Sequence, residues 1–340
     1  MCVMCAKLLF IWYYMEYMKK RLLSGIKPSG IIHIGNYFGA IKQFVDLQDE
    51  YDSSIFIADL HAITTLQNKE ELSKNILNIT MDYLACGLDP KKICLFKQSD
   101  VPEVTELTWY FNCLTTVPYL ERATAYKDAK AKSKEANVGL FDYPILMAAD
   151  ILIQDADVVP VGSDQKQHIE YARDTALKFN NTFGETFKLP EALILKDVAI
   201  VPGIDGRKMS KSYGNTIPLF GTDEQIKKAV MAIITDSKSP DESKDPDKCN
   251  IFAIHKLFIK GEVLESLKKR YLDGGLGYKE SKDMLFEEII SFIKPMRKKR
   301  EYYENNIDEV KNILKEGAQK AKKQIIPKME LIRNNVGVNL

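Results

Sequence analysis

Charge imbalance is the first thing this sequence lacks. Its 48 Lys and Arg meet 47 Asp and Glu, leaving a formal net charge of +1 over 340 residues. No overall field gathers nucleic acid or anionic lipid, so any such surface must be local. Cysteine is scarce as well. Of the six, Cys86, Cys94, Cys113 and Cys249 lie far apart, and the pair Cys2/Cys5 has no second pair to complete a zinc site. That excludes a disulfide framework and points to reduced, cytosolic thiols. Neither GxxxxGK[ST] nor GxGxxG occurs, which argues against a P-loop enzyme and a dehydrogenase. Internal repeats and low-complexity tracts are missing too. The one long apolar run, MCVMCAKLLFIWYYMEYM, is interrupted by Lys7 and Glu16 and is too short to span a bilayer comfortably. No small-residue cleavage site follows it. Residues 1–18 read as an N-terminal extension, and no membrane association is expected.

What is present is globular: 45% apolar and 28% charged residues, at a length that suggests two domains. From Lys20 onward, short apolar runs (RLLSGI, SSIFIADL, KKICLFKQ, ADVVPV, EALILKDVAIV) alternate with helical patterns such as KEELSKNILNITMDYLACGL. Strands separated by helices of this length imply a parallel sheet with crossover helices. After Pro218 only helical patterns remain. The expected fold is therefore α/β: a Rossmann-like parallel-sheet domain over 19–217, with a helical insertion around 65–140, then an all-α domain over 218–340.

Two loops concentrate the chemistry. The first strand runs into SGIKPSGIIHIGNYFGA, where four glycines let backbone approach a ligand and a helix starts near Gly35–Asn36. In a parallel sheet ligands sit beyond the carboxyl ends of strands, where helix N-termini point. His33 and Asn36, one turn apart, are candidate donors to a phosphate there, although a Gly-rich turn around a satisfied histidine would look the same. The second loop, GRKMSKSYGN, packs three cations and two serines into its first seven residues. A solvated surface turn is the plain alternative; a mobile anion site is the sharper one, since lysines on a loop bracketed by Gly206 and Gly214 can close over a phosphate and release it.

HIGN at a first strand–helix junction, followed far downstream by KMSKS, resembles the paired signatures of class I aminoacyl-tRNA synthetases. With ADLHAIT, DYPILMAADIL and VPVGSDQKQHIEYARD in the same order, the chain from Arg21 onward is similar to the bacterial tryptophanyl branch of that family. Asn36 stands where most of the family has a second histidine, and the tryptophanyl branch commonly has asparagine. Lys27 stands where glutamine is common.

The resemblance implies ATP as substrate with Mg2+, L-tryptophan and tRNA(Trp) as partners, a homodimer and a cytoplasmic location. It places Lys27, Pro28 and Ser29 beside ATP, and Gly35 and Asn36 at phosphate and adenosine. Gly162, Ser163 and Asp164 fall at the ribose and Val201 near adenine. Lys208, Met209, Ser210, Lys211 and Ser212 form the loop over the triphosphate. The expected catalytic group is Lys27, Asn36, Lys208 and Lys211, with no protein metal site. Tryptophan is expected to meet Leu23, Gly25, Tyr143, Met147, Asp150 and Gln165. On a helix Tyr143, Met147 and Asp150 share one face. An indole N–H can only donate, so a buried carboxylate is a fitting partner, although Tyr143 and Met147 as plain core and Asp150 as a cap remain the alternative. Leu23 cannot hydrogen-bond a phenol, which disfavours a tyrosyl enzyme. A catalytically idle relative is the rival from another class.

Two surfaces complete the reading. Between Lys294 and Arg333, twelve Lys and Arg face six Asp and Glu, a basic stretch suited to anticodon contact, with Tyr302 and Tyr303 as stacking candidates. The segment from Gln98 to Leu120, rich in apolar residues (Val101, Val104, Leu107, Trp109, Tyr110, Phe111, Leu114), reads as a helix with little polar face, suited to burial against a second copy.

Overall fold

The structure is a computed structural model that describes residues 19–123, 126–127, 137–162, 166–194 and 201–340, without the Lys166 side chain. Five strands, β1 (Arg21–Ile26), β2 (Asp52–Ile57), β3 (Cys94–Lys97), β4 (Val158–Val161) and β5 (Glu191–Ile194), form one sheet in the order β3-β2-β1-β4-β5. All four pairings are parallel, with Leu22 set between Ser53 and Val158. β1 is central, and Leu22, Leu23 and Ser24 are all buried, as expected of a strand covered on both faces.

The helices follow from local signals. Asn68 caps α4 (Lys69–Cys86) by accepting from the Glu71 N–H at 2.9 Å, and Gly87 ends it with φ +116°. Thr222 and Gln225 cap α9 (Asp223–Met231) reciprocally. After β1 the chain forms α1 (Ile34–Asn36), a π-helical turn (Tyr37–Ile41) and α2 (Lys42–Leu47). α3 (Asp59–Ile63) follows β2. Gln98–Asp100, α5 (Glu103–Leu114) and α6 (Val117–Leu120) follow β3, so the Gln98–Leu120 stretch is three short pieces and not one helix. α7 (Val138–Ile153) and α8 (Lys166–Phe183) flank β4, and α10 (Asn250–Phe258), α11 (Gly261–Asp273), α12 (Tyr278–Asn305) and α13 (Ile307–Val336) complete the chain.

Alternation along the strands divides the core between the two faces of the sheet. Ile55 and Ile57 join one cluster with α4, α9 and α12, while Leu23, Phe56 and Phe96 join another with α5, α7 and α8. α13 contributes to both: Leu314 to the first, then Ala318, Ala321, Ile325, Met329 and Ile332 to the second. It changes face at Gly317, where an added Cβ would lie 1.8 Å from the Leu95 carbonyl oxygen of β3. Cys94 Sγ donates to the Gly317 carbonyl there at 3.1 Å. Only glycine permits this crossing of the edge strand.

None of the described helices is long and apolar enough to cross a membrane.

Candidate active site

The strand order reverses at β1, whose successors β2 and β3 run to one side and β4 and β5 to the other. Such a switch point opens a crevice beyond the strand ends, and a cavity of about 410 Å3 lies there. Leu23 and Gly25 come to it from β1, Phe56 from β2, and Tyr143, Met147 and Asp150 from α7, with Lys27 also on its wall. The expected i, i+4, i+7 face of α7 is thus realised. Gly25 allows the close passage, because a Cβ there would sit 2.6 Å from the Phe56 ring. Lys27 Nζ donates to Thr65 Oγ1 at 3.1 Å, and desolvation lowers its pKa.

Asp150 is 5% exposed and is held by two side chains. His61 Nε2 lies 2.9 Å from Oδ2, and Gln98 Nε2 donates to both oxygens at 2.9 Å. Gln98 also accepts from the Leu60 and His61 N–H groups through Oε1, at 3.2 and 3.4 Å. One amide therefore ties the start of α3 to the carboxylate on α7. Burial pushes the Asp150 carboxyl up, and the His61 and Gln98 bonds oppose that. Sequence reasoning assigned no role to His61, Gln98 or Phe56. A usable signal existed: Phe56 and the histidine of ADLHAIT mark the carboxyl end of β2, and Gln98 directly follows β3.

The two signature loops meet beside this cavity. Ile34 N donates to the Ile217 carbonyl at 3.0 Å, Leu219 N to the Ile32 carbonyl at 3.0 Å, and His33 bridges to Pro218. A Cβ on Gly35 would lie 3.2 Å from the Met209 Cβ. Lys211 Nζ donates to the Ser29 carbonyl, and desolvation lowers its pKa while Asp82 opposes.

His33 and Asn36 cap one another. Asn36 Oδ1 accepts from His33 N at 3.0 Å, and His33 Nδ1 accepts from Asn36 N at 3.3 Å. The remaining donors of the two side chains are His33 Nε2 and the Asn36 amide NH2. Burial, and then the Lys211 charge, hold His33 down at about 4. Val201 is buried and its carbonyl accepts from Met209 N at 2.9 Å. Pro28 is buried, Gly162 follows β4 at the surface, and Ser210 and Ser212 bond each other at 2.8 Å. Ser163, Asp164 and Gln165 lie outside the described residues. Among the described residues no group of three or more His, Cys, Asp or Glu side chains is placed to hold a metal ion.

A profile described as tRNA synthetases class I (W and Y) matches residues 17–294. The chain belongs to that family. A tryptophan–tRNA ligase of Fusobacterium nucleatum is 54% identical over 320 residues, covering 94% of this chain and 98% of the relative. The crystal structure of a tryptophanyl-tRNA synthetase from Campylobacter jejuni, complexed with ADP and tryptophan, matches with a TM-score of 0.90 and 47% identity, covering 93% of this chain and 99% of that one. A tyrosyl-tRNA synthetase from Archaeoglobus fulgidus complexed with L-tyrosine shares only the fold, at 20% identity and a TM-score of 0.65.

Proposed function

We propose that the chain activates L-tryptophan with ATP and transfers it to tRNA(Trp), releasing pyrophosphate and AMP. The observation that carries this is the buried Asp150, held by His61 and Gln98 in the wall of an otherwise largely apolar cavity that adjoins both phosphate-type loops. The indole N–H donates to Asp150, while Met147 and Phe56 face the ring. Leu23 offers nothing to a phenol. A pocket built around one committed acceptor rejects side chains that cannot donate to it.

The tryptophan carboxylate oxygen forms a bond to the α-phosphorus as the bond to the bridging oxygen breaks, and that electron pair leaves on pyrophosphate. No protein nucleophile is needed, so catalysis is positioning and charge stabilisation. Lys27, which lines the cavity, borders the ATP. Gly35, Asn36, Pro28 and Ser29 border the nucleotide, as do Gly162, Ser163, Asp164 and Val201, while Gln165 meets the substrate amino group. Lys208 and Lys211 neutralise the departing pyrophosphate. Among the described residues no carboxylate cluster would hold Mg2+, so the ion would be carried by the oxygens of ATP and would supply counter-charge to the triphosphate.

The helices of 218–340 supply the tRNA grip through the basic surface of α12 and α13. A homodimer forms over Trp109 and Val117, which are 67% and 61% exposed, and the enzyme works in the cytoplasm. Exchange of labelled pyrophosphate into ATP tests the reading. Exchange should depend on tryptophan and not on tyrosine; exchange driven by tyrosine, or none with tryptophan, would overturn it.

A further inference from the structure

Asn215 sits at the foot of the KMSKS loop with 1% of its surface exposed. Its side-chain Nδ2 donates to Asp205 Oδ1 at 2.7 Å and to the Lys208 carbonyl at 3.2 Å, and its Oδ1 accepts from Ser210 N at 2.8 Å. Its backbone carbonyl accepts from Ile204 N at 3.0 Å. One amide thus grips the residue before Met209 by its carbonyl and the residue after it by its N–H. The grip needs both halves of an amide, since a carboxylate lacks the donors and a hydroxyl lacks the reach.

The surroundings fit this geometry. A Cβ on Gly203 would lie 2.2 Å from Asn215 Nδ2, so the segment entering the loop passes where only glycine fits. Asp205 is fixed from its other side by Arg207, with Nε at 2.7 Å and Nη2 at 2.6 Å from Oδ2, and that guanidinium lies over the Tyr213 ring at 4.5 Å. Gly206 and Gly214 both adopt left-handed φ values, +80° and +64°. The segment they bracket is anchored at its base. Its 208–210 backbone is stapled from below, and within 211–214 the turn is closed by Gly214 N donating to the Lys211 carbonyl.

We propose that Asn215 is a positioning residue for the adenylation step. It holds the 208–210 backbone so that the ammonium groups of Lys208 and Lys211 meet the bridging oxygen and pyrophosphate as the α-phosphorus bond breaks. This rests on the reading of those two lysines as pyrophosphate-binding groups. Charge stabilisation of this kind depends on preorganised donors, and a small displacement of the backbone that carries them lowers the rate while leaving substrate binding in place. The cavity for tryptophan shares no hydrogen bond with Asn215, so its affinity should not follow.

The test uses the full chain with Asn215→Asp, which keeps the acceptor for Ser210 N, removes both donors and sets a carboxylate against Asp205. Tryptophan-dependent pyrophosphate exchange should lose about tenfold to a hundredfold in kcat, with the tryptophan KM unchanged within a factor of about two. Pairing it with Asp205→Asn restores a donor–acceptor pair in the reverse sense and should recover part of the lost kcat. An unchanged kcat in the single variant, or a loss that the pair does not relieve at all, overturns the proposal. Amide hydrogen exchange at Ser210 gives a readout independent of activity: it should speed up in Asn215→Asp and slow again in the pair, and an unaltered rate would also overturn it. If the wild-type chain fails to support tryptophan-dependent exchange, the reading of the active site falls, while protection of the Ser210 amide still decides whether Asn215 staples the loop.

Discussion

Gln98 Nε2 lies 2.9 Å from each oxygen of Asp150. With His61 Nε2 on Oδ2, the carboxylate proposed to accept the substrate's N–H is aimed before substrate arrives. Replacing Asp150 by Ala removes that acceptor and leaves two donors without a partner. The tryptophan KM should rise by about 2 kcal/mol or more, roughly thirtyfold, while the ATP KM moves little. Equal weakening for both substrates would show that Asp150 serves only the core. Steady-state exchange kinetics with each substrate varied in turn measures this.

Lys211 should act chiefly in the transition state, because charge builds on pyrophosphate only as it departs. Lys211→Ala is expected to lower kcat for adenylate formation about a hundredfold, near 3 kcal/mol, with a much smaller change in the ATP KM. Lys211→Arg should restore only part, since a planar fork does not replace a compact ammonium. Transfer from preformed Trp-AMP to tRNA should change less. A normal kcat with weaker ATP binding would mark the lysine as a ground-state clamp.

His33 supplies a pH signature of stability. Its folded value of about 4 lies below the usual 6.5, so the unfolded chain binds the extra proton first. Stability from this group is complete above pH 6.5 and is lost as pH falls from there toward 4. Urea midpoints measured across that window should fall more steeply for the wild type than for His33→Asn. Parallel curves would show that His33 is not the group responsible.

Trp109 and Val117 test the dimer. α5 buries Val104, Leu107 and Phe111 in its own chain's core, so the apolar-rich segment read from the sequence has already used much of its apolar surface internally. Trp109 remains outside. Trp109→Glu should convert a dimer into a 38.8 kDa monomer in sedimentation at micromolar concentration, without loss of helix content. A wild-type chain that is already monomeric there would refute the assembly.

The alternation of apolar runs and helical patterns was enough to place all five strands, because a central parallel strand such as β1 is covered on both faces and so reads as a short, mostly apolar run. The α7 face was legible for a similar reason, since a helix period fixes which residues share a side. The π-helical turn at Tyr37–Ile41 was not, as its apolar spacing passes for an ordinary helix. Nor was the break at Thr115–Thr116, which splits the stretch once read as one helix. His61 and Gln98 were legible as residues just beyond the carboxyl ends of β2 and β3, but their value comes from meeting Asp150, and local pattern does not encode that contact. Asn215 is visible as a letter beside a known signature, but only the fold reveals that both halves of its amide are in use.

The crossing at Gly317 has a consequence for how the molecule assembles. β3 is a sheet edge, and an uncovered edge is a template for pairing with another chain. Its cover is α13, more than two hundred residues downstream of β3 along the sequence. While the chain emerges from a ribosome, the nucleotide-type half can close its strands long before that cover exists. On this order of synthesis the β3 edge stays open to pairing until α13 (Ile307–Val336) has been made and folded across it.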